Sequence, residues 1–234
     1  MVTAFSHRRL DSLLEKEEFR SVRGPTVPEV VTSRLRDAIL AGVYKPGERL
    51  VEQKLAGLFG IGQPTVREAL RELEIQGFVN KRGNRGTYVT KFTPEDIQQR
   101  HEVRMALESL AVNKAAKYIT PEDAEEFENL QREIEAMAAR FDRAAFHRLD
   151  MAFHRKIWQC ARNEYLALML ERVTFSLFAF QLVGRKPGDP VMTHVAQQHR
   201  EILDALLTRD PKIACRGFRR ATEKFWHKYQ HIHC

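Results

Sequence analysis

The sequence predicts a mainly α-helical chain built in two parts, and three observations predict it. Apolar residues recur at helical spacing along most of the chain. One short basic, glycine-bearing segment near residue 83 interrupts them between two β-like runs. The basic excess lies before that break and the histidines lie after it: residues 1–93 carry 16 basic and 11 acidic side chains, whereas eight of the nine histidines follow residue 100. With 234 residues, 43% of them apolar, the chain has material for two cores.

The formal charge of +7 permits contact with a polyanion without requiring it. No uninterrupted apolar run approaches the roughly 20 residues of a membrane span, and the N-terminus lacks the apolar core of a signal peptide. Cys160, Cys215 and Cys234 are odd in number and have no CxxC spacing, so they read as reduced thiols. A cytoplasmic protein with no membrane partner is expected.

Residues 1–25 read as a charged, mobile arm, with a short helix over Leu10–Phe19 as the alternative. Residues 26–92 form the first domain. Val30, Val31, Leu35, Ile39 and Leu40 predict a helix over Val27–Ala41, which Gly42 ends. Leu55, Ala56 and Phe59 predict a second over about Glu52–Phe59, broken by Gly60-Ile61-Gly62. A third runs from Pro64 to about Gln76, because proline suits a first turn and Val66, Ala69, Leu70 and Leu73 form one stripe. Phe78–Asn80 and Thr87–Thr90 read as strands around a basic tip, Lys81 to Gly86. Three helices and a basic hairpin make a winged helix-turn-helix.

A helix of that kind fits the major groove and presents its early outward side chains to base edges. Here those are Gln63, Thr65, Arg67 and Arg71, with arginine suited to guanine and glutamine to adenine. Lys81, Arg82, Arg85 and Gly86 would place the wing on phosphates or in the minor groove. Each residue singly is a weak signal; their order along the chain is the strong one.

Residues 27–91 resemble the GntR family of bacterial regulators, in particular its FadR-like branch. The resemblance rests on Leu55-Ala56, Phe59-Gly60-Ile61, Val66-Arg67-Glu68-Ala69-Leu70, Leu73, Gly77-Phe78-Val79 and Arg85-Gly86-Thr87-Tyr88-Val89. It implies a homodimer on a short inverted-repeat operator in double-stranded DNA, with Arg67 reading a base. The family commonly has Ser/Thr-Arg where this chain has Gly62-Gln63, so Gln63 stands in for a base-reading arginine.

Residues 93–234 predict an antiparallel all-α bundle of about six helices, near 94–118, 121–140, 142–161, 164–183, 191–208 and 210–230. Asn163 reads as a left-handed helix end, the phenylalanines from Phe175 to Phe180 as core or dimer surface, Trp158 and Trp226 as packing residues, and His227, His231 and His233 as an exposed tail.

Asp150 and His154 are four apart and share a helix face, with His147 nearly on it one turn earlier. Carboxylate and imidazole at that spacing make half a site for zinc, manganese or nickel, though alone the motif is more often a hydrogen-bonded pair. Arg104 and Glu108 have the same spacing and read as a surface ion pair.

Residues 97–222 look like the FCD ligand-binding domain of FadR-like regulators, from Arg104-x-x-Leu107-Glu108, Asp150-x-x-Phe153-His154, His199-Arg200-x-Ile202-Leu203 and Arg209-Asp210. The resemblance implies one divalent metal per subunit on Asp150, His154 and His199, no organic cofactor, and Arg104 holding the carboxylate of a small organic acid effector. The usual fourth ligand is a histidine where this chain has Ala221, and His194 and His227 are poorly placed to replace it. The expectation is a regulator, in the family more often a repressor, and not an enzyme. The alternatives are a helical metalloenzyme centred on Asp150, His154 and His199, and an architectural DNA-binding protein without an effector.

Overall fold

A computed structural model of the chain describes residues 24–229. Almost all of the arm, with the alternative helix over Leu10–Phe19, and His231, His233 and Cys234 lie outside the described residues.

The first domain begins with α1 (Val27–Leu40), fixed at its start by a capping box. Thr26 Oγ1 accepts from the Glu29 amide, and the Glu29 carboxylate accepts from the Thr26 amide at 2.7 Å. A two-residue strand β1 (Arg49–Leu50) precedes α2 (Glu52–Phe59), which Gly60 ends in a left-handed conformation. The next helix, α3 (Gln63–Ile75), buries Val66, Ala69, Leu70 and Leu73 and so turns Gln63, Arg67 and Arg71 outward. The hairpin of β2 (Val79–Lys81) and β3 (Thr87–Val89) turns through a 3-10 segment at Gly83–Arg85. The sheet order is β1-β3-β2, both pairings antiparallel. β1 was not expected: two residues carry no periodicity, and only pairing of Arg49 with Tyr88 and Leu50 with Thr87 defines it.

The second domain is six helices: α4 (Pro94–Tyr118), α5 (Pro121–Arg140), α6 (Arg143–Cys160), α7 (Glu164–Leu182), α8 (Val191–Leu206) and α9 (Pro211–Tyr229). Capping boxes start α4 (Thr93 with Asp96) and α5 (Thr120 with Asp123), each followed by proline at the first helical position. Asn163 does not end a helix as expected. It has φ −143° and caps the start of α7, accepting from the Leu166 amide, while Arg162 takes the left-handed conformation (φ 51°). An Asn side chain satisfies an orphan amide wherever a new helix starts this close behind the last.

Packing closes a circuit α4–α9–α8–α5–α6 and back to α4, with α7 laid over α4 and α6. α7 has the length and apolarity of a membrane span, and over half of it is buried in the protein. Its phenylalanines bury against the first domain: Phe78 meets Phe175 at 5.6 Å and Phe180 at 6.0 Å, and Phe92 meets Phe180 at 5.0 Å. Arg143 Nη2 donates to the Ala41 carbonyl at 2.9 Å across the same junction.

Gly77 sits in this joint with φ +77°, and a Cβ there would stand 2.6 Å from Ser176 Oγ. Gly77→Ala is therefore expected to destabilise the protein by about 1–3 kcal/mol, from strain plus overlap. Adding Ser176→Ala should return only part of the loss, because the strain stays. Urea midpoints of the single and double variants check this.

Candidate metal-binding cluster and nucleic-acid interface

The i, i+4 spacing on α6 stacks Asp150 and His154 one turn apart, and α8 brings His199 against them. All three are buried. His199 Nε2 lies 3.0 Å from Asp150 Oδ1, His154 Nε2 lies 3.8 Å from the same oxygen, and the two Nε2 atoms are 3.3 Å apart. Ligand atoms about 2.1 Å from a metal stand about 3.0 Å from one another in octahedral geometry and about 3.4 Å in tetrahedral geometry. The edges of 3.0 and 3.3 Å match a set of that size and the His154–Asp150 edge of 3.8 Å is a few tenths longer, so these residues fit a small divalent ion once that edge shortens.

A carboxylate behind the cluster orients it. His154 Nδ1 lies 2.7 Å from Glu108 Oε1, and because an ionised carboxylate only accepts, Nδ1 carries the proton and donates it. Nε2 is then left with its lone pair toward Asp150 and His199, the arrangement a ligand needs. Glu108 is itself held by Arg104 Nε at 2.6 Å and faced by the Trp158 indole at 3.4 Å. The Arg104–Glu108 pair thus exists, but in the core rather than on the surface: both residues are buried, and the Arg104 guanidinium lies 4.4 Å over the Phe178 ring. Helix periodicity showed the pair; only the packing of α6 and α7 on α4 buries it.

Burial works against ionising Glu108, yet the Arg104 guanidinium and His154 outweigh it and hold the carboxyl well below its ordinary value of 4.5, at about 2. Burial likewise opposes charge on Asp150, and the hydrogen bond and charge of His199 still hold it below its usual range. Burial pushes His199 down, toward the neutral form that ligates. Phe153 stacks on His199 at 4.3 Å, and the buried His199 Nδ1 has no hydrogen-bond partner among the described residues.

The other described histidines stay out of the cluster. His147, one turn before Asp150, is engaged elsewhere: its Nε2 bonds the Phe175 carbonyl at 3.0 Å. His194 bonds the Tyr229 hydroxyl and His227 is exposed. Ala221 is buried on α9 and offers no ligand atom; it lines a cleft of about 60 Å³ with Gln198, Lys224 and Phe225.

In the first domain Gln63, Arg67 and Arg71 are exposed, Thr65 half-buried, and Lys81, Arg82 and Arg85 exposed along the wing. Arg67, Arg71 and Lys81 line one cleft between α3 and the wing. Gly86 (φ +105°) carries the chain past Arg49, whose Nε would be 3.0 Å from a Cβ there. Arg82 lies 4.8 Å over Tyr88, and the Tyr88 hydroxyl donates to the Arg85 carbonyl, stiffening the tip. Sequence reasoning missed two residues of this surface. Arg49 joins the wing only through β1 pairing, and Glu52 holds Arg67 Nε at 2.7 Å. Its position in the first turn of α2 was legible, but its partner was not.

A winged helix-turn-helix joined to a helical domain with a buried ligand-like cluster defines a DNA-binding regulator with a sensory domain. The comparisons agree. The family model for bacterial regulatory proteins of the gntR family matches residues 28–89, and the FCD domain model matches residues 99–223. The chain belongs to the GntR family, with an FCD domain, and its relatives are transcriptional regulators rather than enzymes. It is 29% identical over 186 residues to the uncharacterized HTH-type transcriptional regulator YdhC of Bacillus subtilis (strain 168), covering 78% of this chain and 81% of that one. It is 31% identical over 193 residues to a probable D-xylose utilization operon transcriptional repressor of Paenarthrobacter nicotinovorans, covering 79% and 82%. The solved structure of E. coli McbR/YncC has the same fold, with a TM-score of 0.71 at 20% identity over 88% of this chain and 100% of that one.

Glu108→Ala leaves the Arg104 guanidinium buried without its partner and is expected to cost about 3–5 kcal/mol in urea unfolding at pH 7. Because the folded carboxyl is depressed, its contribution is whole above about pH 4.5 and is lost as pH falls toward about 2. Glu108→Gln should accordingly flatten the wild-type loss of stability between pH 5 and roughly pH 3.

Proposed function

We propose that the protein is a metabolite-responsive repressor that binds a short inverted repeat as a homodimer, with one divalent metal per subunit and a small organic acid as effector. The observation that carries the sensory half is the convergence of Asp150 Oδ1, His154 Nε2 and His199 Nε2 with Glu108 behind His154. Zinc, manganese or nickel would sit on those three atoms and supply a Lewis-acidic position for a carboxylate oxygen. The protein's own part is to hold His154 in its ligating tautomer and to offer Arg104. Arg104 Nε is taken by Glu108, while its Nη groups make no hydrogen bond to a described residue and suit a second carboxylate oxygen.

For DNA, Gln63, Thr65, Arg67 and Arg71 are the groove-facing set, with Lys81, Arg82, Arg85 and Gly86 on the wing and Arg49 beside them. The homodimer is supported by apolar side chains that α4 and α7 leave outward: Val103 and Leu110 on α4, Tyr165, Leu168 and Met169 on α7. Repression is favoured by the likeness to the probable D-xylose utilization operon repressor of Paenarthrobacter nicotinovorans. Coupling has a short physical route. The helix that carries Asp150 and His154 also carries His147, whose bond to the Phe175 carbonyl sits on the joint with Phe78, so a ligand that reorients α6 acts on the element the DNA-binding domain rests on.

Two measurements test the reading. Zinc, manganese or nickel alone, at about a hundredfold excess over Kd, should raise the Tm of metal-stripped protein by roughly 5–10 °C. Asp150→Ala and His199→Ala should abolish that shift; a wild type with no shift and no metal on elemental analysis sinks the metal site. Arg67→Ala should weaken binding to a selected operator about tenfold or more at every salt concentration, and unchanged affinity overturns the DNA-reading assignment. In sedimentation, Leu110→Glu should shift the protein toward monomer.

A further inference from the structure

The recognition surface carries a contact that the groove-facing role alone does not explain. Arg67 Nε donates to Glu52 Oε2 at 2.7 Å, and Arg67 Nη2 donates to Gln63 Oε1 at 3.3 Å. Glu52 opens α2, where the helix N-terminus favours a carboxylate. Gln63 and Arg67 are exposed and Glu52 half-buried; Arg67 is 61% exposed and Glu52 35%. An ion pair in that setting adds little to folding stability. It decides something else, namely which hydrogen-bonding atoms are left facing the groove.

A glutamine reads adenine with both ends of its amide, accepting from N6 with the oxygen and donating to N7 with the nitrogen. Here the Gln63 oxygen is engaged by Arg67, so the amide presents its N–H groups. Arg67, tied at Nε and through one N–H of Nη2, presents Nη1 and the second N–H of Nη2. One lone pair of Oε1 stays free, but donors outnumber acceptors on what remains, and such a surface fits a base edge made of acceptors. Guanine has two in the major groove, N7 and O6, whereas adenine has one acceptor and one donor that would meet a donor.

We propose that Glu52 is a specificity-determining positioning residue, which through Arg67 fixes Gln63 as a donor and makes this regulator select guanine over adenine at the base that Gln63 faces. The inference rests on the DNA-reading role proposed above for Gln63 and Arg67. It also turns around the plainest expectation for a glutamine at this position, which is adenine. Docking strengthens the arrangement, because the Glu52–Arg67 pair loses water as the groove closes over it.

Selection of bound duplexes from a random pool, with full-length wild type, Glu52→Gln, Glu52→Asp and Gln63→Ala, tests it. The base read by Gln63 is the one whose preference disappears in Gln63→Ala. Wild type should favour guanine there over adenine by about tenfold. Glu52→Gln frees the amide and removes a negative charge near the phosphates, so the guanine preference should collapse to within about twofold while binding to random DNA tightens. Glu52→Asp keeps the charge and should restore most of the preference, which a purely structural role for Glu52 would not require. Adenine preferred by the wild type, or a guanine preference that persists in Glu52→Gln, overturns the proposal. Should Glu52→Gln not fold, the wild-type preference and Glu52→Asp still decide it. If the wild type selects no sequence at all, the DNA-reading assignment itself fails, a result distinct from either of these.

Discussion

Glu108 lies midway along α4 with almost no exposure to water, where desolvation alone would drive a carboxyl to its neutral form. It stays ionised because Arg104 from its own helix and His154 and Trp158 from α6 all turn donors toward it. Much of the sensory domain follows from that requirement. The pair with His154 sets the tautomer of that ring, which aims Nε2 at His199 and Asp150 and so ties α8 to α6. A buried ion pair is weak evidence for added stability, since apolar packing could replace it. Its retention in the core is better explained by orientation: it holds a ligand-like set in one geometry.

The joint between the domains obeys a different rule. It is aromatic and close-packed, with Phe78 and Phe92 of the first domain against Phe175 and Phe180 of α7. Arg36 from α1 and Arg155 from α6 lie over Phe175 at 5.2 and 5.3 Å, so the ring is gripped by cations from both domains. Close packing of this kind does not deform smoothly. Gly77 marks how tight it is, because the turn after α3 passes Ser176 with no room for a methyl group.

Much of this was legible from residues alone. Helical spacing placed all six helices of the bundle within about two residues of their ends, since each begins at a proline or cap residue and stops at a turn. The order Gln63, Val66-Arg67-Glu68-Ala69-Leu70, then a basic glycine hairpin, marked the DNA-binding domain and its family. Asp150, His154 and His199 were nameable because two of them share a helix face and the third follows a family pattern. Asn163 was misjudged, because a residue between two abutting helices is equally near an end and a start, and φ alone decides which. His147 lies nearly on the face of Asp150 and His154 by its spacing, and a helical wheel cannot show that its side chain bonds α7.

What the sequence by itself determined is therefore local: which segments are helical, which side chains turn outward on α3, and which pairs on one helix lie within reach. Periodicity and capping are short-range, and they need no tertiary information. What only the tertiary structure decided is the environment of those pairs. It put Arg104 and Glu108 in the core instead of on the surface, joined Arg49 to the wing through β1, and set Glu52 against Arg67 across fifteen residues of chain. The physical reason is common to all three. Burial and cross-element hydrogen bonds depend on which helix or strand packs alongside, and no residue's own spacing records its neighbour.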